Sequence, residues 1–375
     1  MKTKSNYKVQ NIDYNKKTID IFAQCGKIYD EIGWQNVAIY QQIKLTVAKS
    51  NGERRKQMNV LKELSLIGIV PVIKIDRVED ALPLAKALID GGLPCAEITF
   101  RTAAAKDAIA AITKEYPDMI VGAGTVLTKE QVDDAIEAGS KFIVSPGFNP
   151  EIVKYCQEKG CPIVPGINNP TGIEQALSLG LTTVKFFPAE QSGGINMIKA
   201  MSAPYGAVTF MPTGGIGPGN VNDYLSFNKI LCCGGSWMVK ADMINAGDFD
   251  GIAKLVRQAV DTMLGFKFKH MAINETSADA ANGDANAING IFGLGTRAAS
   301  ASTFASESIE IMHTPGKGTH GHVGIQTNNV ERAVYHLERR GVKFDHSTAR
   351  FDKAGKMTFI YLADEIGGFA FHICH

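Results

Sequence analysis

Short apolar runs alternate with amphipathic segments along residues 58–265. The runs are almost continuously apolar, which is typical of strands covered on both faces of a parallel sheet. The segments between them place apolar residues three and four positions apart and carry a glycine near the end, which predicts helices. We count eight runs: IGIVPVIKI, PCAEITF, IVGAGTV, FIVSPG, PIVPGI, TTVKFFPA, VTFMPTGG and ILCCGGSW.

Eight strand–helix units in about 200 residues predict an α/β fold, the closed (β/α)₈ barrel of the TIM type. A doubly wound open sheet is the alternative, but no G-x-G-x-x-G motif follows the first run. The first 57 residues predict one or two helices and no function. We therefore divide the chain into an N-terminal extension (1–57), a barrel (58–265) and a smaller C-terminal domain (266–375).

Composition narrows the classes of function. The 375 residues include 39 Lys+Arg and 38 Asp+Glu, so net charge gives no reason to expect nucleic acid or an anionic membrane as partner. No apolar run is long enough to span a membrane, and the N-terminus lacks a signal-peptide core. Seven cysteines are scattered without metal-ligand spacing, which favours a reducing cytoplasm.

Polar residues near the C-terminal ends of the strands are the candidates for chemistry, because (β/α)₈ barrels carry their active sites there. Lys185 lies inside TTVKFFPA, where it either reaches water from a strand end or acts as a desolvated, nucleophilic amine. Glu97 lies in the apolar stretch AEITFR, a position that suits proton transfer. Arg101 is too far along the strand to pair with Glu97, and its guanidinium matches a carboxylate.

Glycines follow the seventh and eighth runs, in PTGGIGPGN and GGSW. Small residues at these strand ends commonly form the phosphate site of (β/α)₈ barrels, because backbone N–H groups can approach the anion. Two ordinary strand-to-helix turns are the alternative. The substrate-binding candidates in these turns are Thr213, Gly214, Gly215, Gly235 and Ser236.

Residues 60–262 resemble 2-keto-3-deoxy-6-phosphogluconate (KDPG) aldolase, the family that also cleaves 2-keto-4-hydroxyglutarate (KHG). The motifs GIVPVI, EITFRT, VGAGTVL, IVSPG, KFFPAE, PTGGI and GGSW carry the resemblance and occur in the family's order. The resemblance implies a class I aldolase that acts on a small keto acid, needs no cofactor and forms a homotrimer. A sensor or scaffold that binds a phosphorylated keto acid is the alternative function.

The resemblance also implies roles for single residues. Lys185 would form the Schiff base, and Glu97 would be the general acid and base. The keto-acid carboxylate would be bound by Arg101 and Thr125. The pocket would be shaped by Pro146 and Phe187, and the distal phosphate held by Gly214, Gly215, Gly235 and Ser236.

The pattern changes to an internal repeat after residue 265. KHMAIN (269–274) parallels GHVGIQ (321–326), and each is a strand that begins with a histidine and precedes a helix-like segment. SIEIMH and FAFHICH then form the closing strands of the two halves. The stretch 278–308, which follows KHMAIN and leads to SIEIMH, is rich in Ala, Gly, Ser and Asn, and it is either a linker or part of the first half.

A repeated βαβββ unit resembles the vicinal-oxygen-chelate, or glyoxalase-like, fold. That resemblance implies a divalent metal held by one residue from each first strand and one from each last strand. The candidate ligands here are His270, Glu310, His322 and His372. A histidine replaces the family's second carboxylate, and imidazole is also a metal ligand. A purely structural module is the alternative.

Strand alternation within FAFHICH separates its side chains into two sets. Phe369, Phe371 and Ile373 are predicted to be buried, which leaves His372 on the face that lines a cavity. Every proposed catalytic residue of the barrel lies upstream of residue 266. We therefore expect that removal of the C-terminal domain spares the aldolase.

Overall fold

This computed structural model describes residues 60–375, and the helices predicted for residues 1–57 lie outside that range. Helices and strands alternate up to residue 264. The helices are α1 (60–67), α2 (Ala81–Gly91), α3 (Ala105–Glu115), α4 (Lys129–Glu137), α5 (Pro150–Glu158), α6 (Pro170–Ser178), α7 (Gly194–Ser202), α8 (Val221–Leu225), α9 (Ala241–Asn245) and α10 (Phe249–Leu264). Within residues 60–375, every helix is too short or too polar to cross a bilayer.

All strands of this part pair in parallel, as the near-continuous apolar runs predict. They are β1 (Ile69–Ile73), β2 (Cys95–Thr99), β3 (Ile120–Gly124), β4 (Phe142–Val144), β5 (Ile163–Val164), β6 (Gly166–Ile167), β7 (Thr183–Phe186), β8 (Thr209–Pro212) and β9 (Cys233–Gly235). One sheet has the order β5-β4-β3-β2-β1-β9, and a second has the order β6-β7-β8.

Each of the eight predicted runs contains a strand, and the fifth is divided in two by Pro165. Proline has no N–H to donate to a neighbouring strand, so the ladder stops at that residue. Two isolated parallel bridges join the end of β8 to the chain around β9, at Phe210–Ile230 and Thr213–Gly234. These bridges connect one edge of the second sheet with the β9 side of the first.

Residues 267–374 form a third, mostly antiparallel sheet of eight strands. Its elements are β10 (Lys267–Asn274), α11 (Ala278–Phe292), β11 (Thr296–Ala298), β12 (Ser302–Ala305), β13 (Ile309–Met312), β14 (Gly321–Gln326), α12 (Val330–Arg339), β15 (Phe344–Phe351), β16 (Met357–Leu362) and β17 (Phe369–Cys374). The strand order is β11-β12-β13-β10-β14-β17-β16-β15. Each half is a βαβββ unit, and the first strands of the two units pair antiparallel at the centre.

The linker interpretation of residues 278–308 is wrong. Ser277 caps α11, since its hydroxyl accepts a hydrogen bond from the Ala280 N–H, and β11 and β12 follow. The low helix propensity of its Gly and Asn residues made the helical pattern weak in the sequence.

The two halves differ in how they are buried. The first half has a small apolar cluster of its own, made of Ala281, Ala285, Ala305 and Ile311. The second half contributes apolar side chains to the core of the barrel, from α12 and from its strands. They are Val330, Ala333, Val334, Phe344, Ile360 and Ile373.

Polar contacts also join α12 to the barrel, at the end where the parallel strands begin. Arg332 is 7% exposed, and its guanidinium donates to the backbone oxygens of Ser65, Leu225 and Leu231, at 2.9, 3.4 and 3.3 Å. The His336 Nε2 lies 3.1 Å from the Ile67 oxygen. These contacts argue against the expectation that the C-terminal domain can be removed without effect on the barrel.

The predicted burial of β17 is partly wrong. Phe369 and Phe371 are half-buried, whereas Ile373 and His372 are both 3% exposed. The ring of His372 packs against the rings of Phe359 and Tyr361, at centroid distances of 4.5 and 5.2 Å. The face that carries His372 is therefore covered by aromatic side chains.

Candidate active site

Lys185 and Glu97 meet inside the barrel. Strands β7 and β2, which carry them, are not neighbours in either sheet, yet the Lys185 Nζ donates to the Glu97 Oε1 at 3.1 Å. Lys185 is 5% exposed and Glu97 is 0% exposed, so the alternative that this lysine reaches water from a strand end is excluded. A buried ion pair of this kind is expensive to desolvate and is weak evidence for a stabilising role.

The surroundings of Glu97 leave one carboxylate oxygen available. Its Oε2 is buried and has no hydrogen-bond partner among residues 60–375. Gly124 on the adjacent strand provides the space, because a Cβ at that position would collide with the carboxylate. A buried oxygen without a partner can hold a proton or bind a polar group of a ligand.

Phe187 lies beside the lysine, with the Lys185 Nζ 5.2 Å from the centroid of its ring. Phe187 and Pro146 line the same cavity of about 560 Å³, together with residues of β6 and α6. The two residues that were predicted to shape the pocket therefore line one cavity, and Phe187 also lies beside the lysine.

Arg101 follows β2 and is exposed, with its guanidinium oriented by a second side chain. The Arg101 Nε donates to the Thr99 hydroxyl at 2.9 Å, and that hydroxyl donates to the Ile73 oxygen at 2.7 Å. Thr125, at the end of β3, has a φ of +58°, which is rare for a residue with a branched Cβ. Backbone strain of this kind is concentrated at functional sites.

The two glycine turns lie side by side at the ends of β8 and β9. Thr213 forms a bridge with Gly234, and its buried hydroxyl has no hydrogen-bond partner in the described part of the chain. Gly214 and Gly215 have φ values of +99° and +77°, a conformation that favours glycine. Gly235 packs under the ring of Trp237, where a Cβ would collide with it.

Glu190 supports the first glycine turn. Its N–H donates to the Gly214 oxygen at 3.1 Å, and its carboxylate accepts a short hydrogen bond from the Tyr224 hydroxyl. A Cβ at Gly215 would lie 2.5 Å from the Glu190 Cγ, so the turn packs closely on this side chain. Tyr224 of α8 therefore holds the Glu190 carboxylate, and the backbone and Cγ of the same residue contact the turn.

Sequence reasoning missed Thr99, Gly124, Glu190 and Tyr224. Thr99 had a usable signal, because residues 97, 99 and 101 alternate onto one face of a strand. Gly124 lies opposite Thr99 in the ladder between β2 and β3, but that register is not visible in the sequence. The contact between Glu190 and Tyr224 joins residues 34 positions apart and has no local signal.

A second cluster lies in the C-terminal sheet, where the imidazoles of His270, His322 and His372 converge. The His270 Nε2 is 3.1 Å from the Nε2 of His322 and 3.3 Å from that of His372. The Glu310 Oε2 lies 3.6 Å from the Nε2 atoms of His270 and His322. Nitrogen ligands bound to one ion at about 2.1 Å are themselves about 3.0–3.4 Å apart, so the imidazole spacings fit a metal site.

Burial and neighbouring groups shift the pKa values of three side chains in this cluster. Burial, together with the neighbouring imidazoles of His270 and His322, lowers the pKa of His372 to about 3. Burial also lowers the pKa of His270 below its ordinary value. Burial alone would raise the pKa of Glu310, but hydrogen bonds from His322 and Ser302 outweigh it and hold that pKa below its ordinary range. Neutral imidazoles and an ionised carboxylate are the metal-binding forms of these side chains.

Comparisons with known proteins match the first part of the chain to one family of aldolases. Residues 59–255 match the family model "KDPG and KHG aldolase". A 2-dehydro-3-deoxy-phosphogluconate aldolase of Treponema pallidum is 51% identical over 203 residues, which are 54% of this chain and 97% of that protein. The KHG/KDPG aldolase of Escherichia coli K12 is 47% identical over 193 residues, 52% of this chain and 91% of that protein.

Among solved structures, the KDPG aldolase of Legionella pneumophila superposes with a TM-score of 0.52 and 38% sequence identity. The match covers 53% of this chain and 97% of that one, and that crystal structure holds pyruvate as a covalent carbinolamine intermediate. With the buried lysine–glutamate pair and the glycine turns in place, the chain belongs to the KDPG and KHG aldolase family.

Proposed function

We propose that this protein is a class I aldolase that cleaves KDPG to pyruvate and glyceraldehyde 3-phosphate. We include cleavage of 4-hydroxy-2-oxoglutarate to pyruvate and glyoxylate as a second reaction of the same site. The observation that carries the proposal is the buried hydrogen bond between Lys185 and Glu97 inside the barrel of a family member. A sensor or scaffold for phosphorylated keto acids would need neither a buried lysine nor a buried carboxylate beside it.

The first half of the reaction belongs to Lys185. Its ammonium gives a proton to the hydrogen-bonded Glu97, and the free amine then attacks the C2 ketone of the substrate. Glu97 returns that proton to the C2 hydroxyl, which leaves as water. The product is an iminium ion, whose positive nitrogen withdraws electrons from the C3–C4 bond. That bond breaks as the C4 hydroxyl loses its proton, which releases the aldehyde and leaves an enamine.

Glu97 is the proton carrier of these steps. Its Oε1 faces the amine, and its unpartnered Oε2 is available to accept the C4 hydroxyl proton, directly or through a water molecule. The same group then returns a proton to C3 of the enamine. Hydrolysis of the resulting iminium ion frees pyruvate and restores the lysine. The protonated imine is the electron sink of the reaction.

The ends of the substrate are bound by the residues around this pair. We assign the carboxylate to Arg101, whose guanidinium is held by Thr99, and to Thr125. The distal phosphate is assigned to the paired turns that contain Thr213, Gly214, Gly215, Gly235 and Ser236. The positive φ values of Gly214 and Gly215 suit a turn whose backbone N–H groups bind an anion. We assign Pro146 and Phe187 to the wall of the pocket, and the Phe187 ring lies beside the amine.

We also propose that the barrel is a closed (β/α)₈ barrel. The support is that β5 and β6 are separated by a single residue and that isolated bridges connect β8 with β9. A homotrimer, which the family resemblance implies, would have three times the 40.4 kDa mass of the chain in light scattering. Buried free thiols such as Cys95, Cys232 and Cys233 support a cytoplasmic location.

A coupled assay of pyruvate release from KDPG tests the aldolase proposal. We expect turnover at an ordinary enzymic rate, about 1–10³ s⁻¹. Glu97→Gln should still form the imine but slow carbon–carbon cleavage by about 10²–10⁴-fold. Glu174→Gln, at an exposed carboxylate that accepts from Tyr205, is the matched control and should keep wild-type turnover. Binding of the keto acid without turnover would favour the sensor.

The second candidate function concerns the C-terminal domain, for which we propose a glyoxalase-like fold with a divalent metal site. The repeated βαβββ order supports the fold, and the convergence of three Nε2 atoms and one carboxylate supports the site. The ligands would be His270, Glu310, His322 and His372. Three imidazoles and one carboxylate suit Zn²⁺, Ni²⁺ or Fe²⁺ better than Ca²⁺.

Metal analysis of the full-length protein after dialysis against Zn²⁺ tests this site. We expect one ion per chain in the wild type and a large loss of affinity in His322→Ala. His346→Ala, at an exposed histidine paired with Glu338, is the matched control and should bind as the wild type does. Wild-type protein that retains no stoichiometric ion would leave the domain a purely structural module.

A further inference from the structure

The two halves of the C-terminal domain are held in place by very different interactions. The second half shares its core with the barrel and is fixed by the buried contacts of Arg332 and His336. The first half is joined to the second by the β10–β14 ladder, and its own apolar core is the small cluster defined above, in which three of the four buried side chains are alanines. An alanine buries little apolar surface, so this cluster contributes little to stability.

The helix of the first half shows the same weakness. Its C-terminal residues Ile291 and Phe292 are 73% and 67% exposed, so they add almost nothing to a core. Glycine and asparagine lower its intrinsic helix stability. Units of this size without a substantial core usually depend on a disulfide or a metal ion.

The four candidate ligands are divided equally between the two halves. His270 and Glu310 come from the first half, and His322 and His372 come from the second. In the ladder registers Ala272 pairs with both His322 and Glu310, while Gly324 pairs with both His270 and His372. The two halves therefore bring equivalent positions to one point, across the central strand pair.

We propose that the ion is a structural clamp, which fastens the weakly packed first half of the domain to the half that is anchored on the barrel. The inference rests on the proposed metal site and adds its role. Four protein ligands close a tetrahedral Zn²⁺ site, whereas a catalytic zinc keeps one position open for water or substrate. The burial of the cluster also favours a closed structural site, since His322 and His372 are only 8% and 3% exposed.

Hydrogen exchange measured by mass spectrometry on the full-length protein tests the clamp. Two samples are compared, one freed of metal with EDTA and one equilibrated with Zn²⁺, and the bound zinc of each is measured. At a free ion concentration 100 times the Kd, exchange within residues 278–305 should slow by up to about 100-fold. Peptides from the barrel strands, such as residues 120–124, serve as the internal reference and should not change.

Variants separate the clamp from a general effect of zinc. Glu310→Gln and His270→Ala should lose the zinc-dependent protection of residues 278–305, and His346→Ala should keep it. The wild-type comparison stands even if a variant fails to fold. Stoichiometric zinc binding without any change in exchange of residues 278–305 would overturn the clamp and leave the metal site intact. Failure of the wild type to bind zinc would overturn both.

Discussion

Replacing Arg332 by methionine removes a buried guanidinium from the base of the barrel and keeps most of the length of the side chain. Arg332 belongs to the C-terminal domain, but its three acceptors, Ser65, Leu225 and Leu231, all belong to the barrel. Two of them lie at the C-terminal ends of helices, α1 and α8, where carbonyl groups lack partners within the helix. The substitution therefore tests whether a change in the C-terminal domain lowers the stability of the barrel.

The expected loss follows from the three distances. The bond to Ser65 at 2.9 Å is charge-assisted and contributes about 1.5–3 kcal/mol, and the two longer bonds contribute about 0.5 kcal/mol each. Relief of the buried charge offsets part of this, and a cavity of about 540 Å³ beside Arg332 lets water reach some of the carbonyls. We expect a net loss of about 2 kcal/mol in the free energy of unfolding.

The assay follows aldolase activity and the circular dichroism signal through the same urea titration. In Arg332→Met both should be lost together and at lower urea than in the wild type, because barrel and second half share one core. Arg339→Met, an exposed residue on the same helix, is the matched control and should leave the midpoint unchanged. An unchanged activity midpoint in Arg332→Met would refute the reasoning, and the C-terminal domain would be separable as the sequence suggested.

Two further predictions concern protonation and the phosphate site. Burial lowers the pKa of His336 to about 4, against 6.5 in the unfolded chain. As the pH falls, the unfolded state therefore takes up the proton first. The free energy of unfolding should then decrease between pH 6.5 and pH 4, by up to about 1.4 kcal/mol per pH unit. His336→Gln, which keeps a donor for the Ile67 oxygen, should reduce that slope, and an unchanged slope would contradict the assignment. Tyr224→Phe removes the hydrogen bond to Glu190, so the KM for KDPG should rise about fivefold, equivalent to about 1 kcal/mol. The KM for 4-hydroxy-2-oxoglutarate should stay constant, and an equal rise for both substrates would show that Glu190 does not act through the phosphate turns.

The strands of the barrel could be predicted because each is buried on both faces and so reads as a short apolar run between turn signals. The same rule made Lys185 and Glu97 conspicuous, since a charged side chain in such a run needs a partner or a function. The fifth run could not be resolved into β5 and β6 from the pattern alone. The identity of Pro165, rather than hydrophobicity, divides it.

The position of α12 could not be predicted. Its pattern shows an apolar face with Val330, Ala333 and Val334, but nothing local specifies which surface that face covers. Arg332 and His336 interrupt this apolar pattern, and polar residues of this kind usually face solvent. Both are buried, because backbone carbonyls of the barrel lie within hydrogen-bonding distance of their side-chain nitrogens. Such acceptors are supplied by the tertiary structure and leave no trace in the sequence of the helix.

Reductive trapping tests the central claim most directly. The full-length protein is incubated with pyruvate and sodium borohydride, digested and mapped by mass spectrometry. A Schiff base at Lys185 predicts one reduced pyruvate group on the peptide that contains KFFPAE, and none there in Lys185→Met. Lys199→Met, on an exposed lysine of α7, should label as the wild type does. Wild-type protein that releases pyruvate from KDPG but carries no adduct at Lys185 would contradict the account.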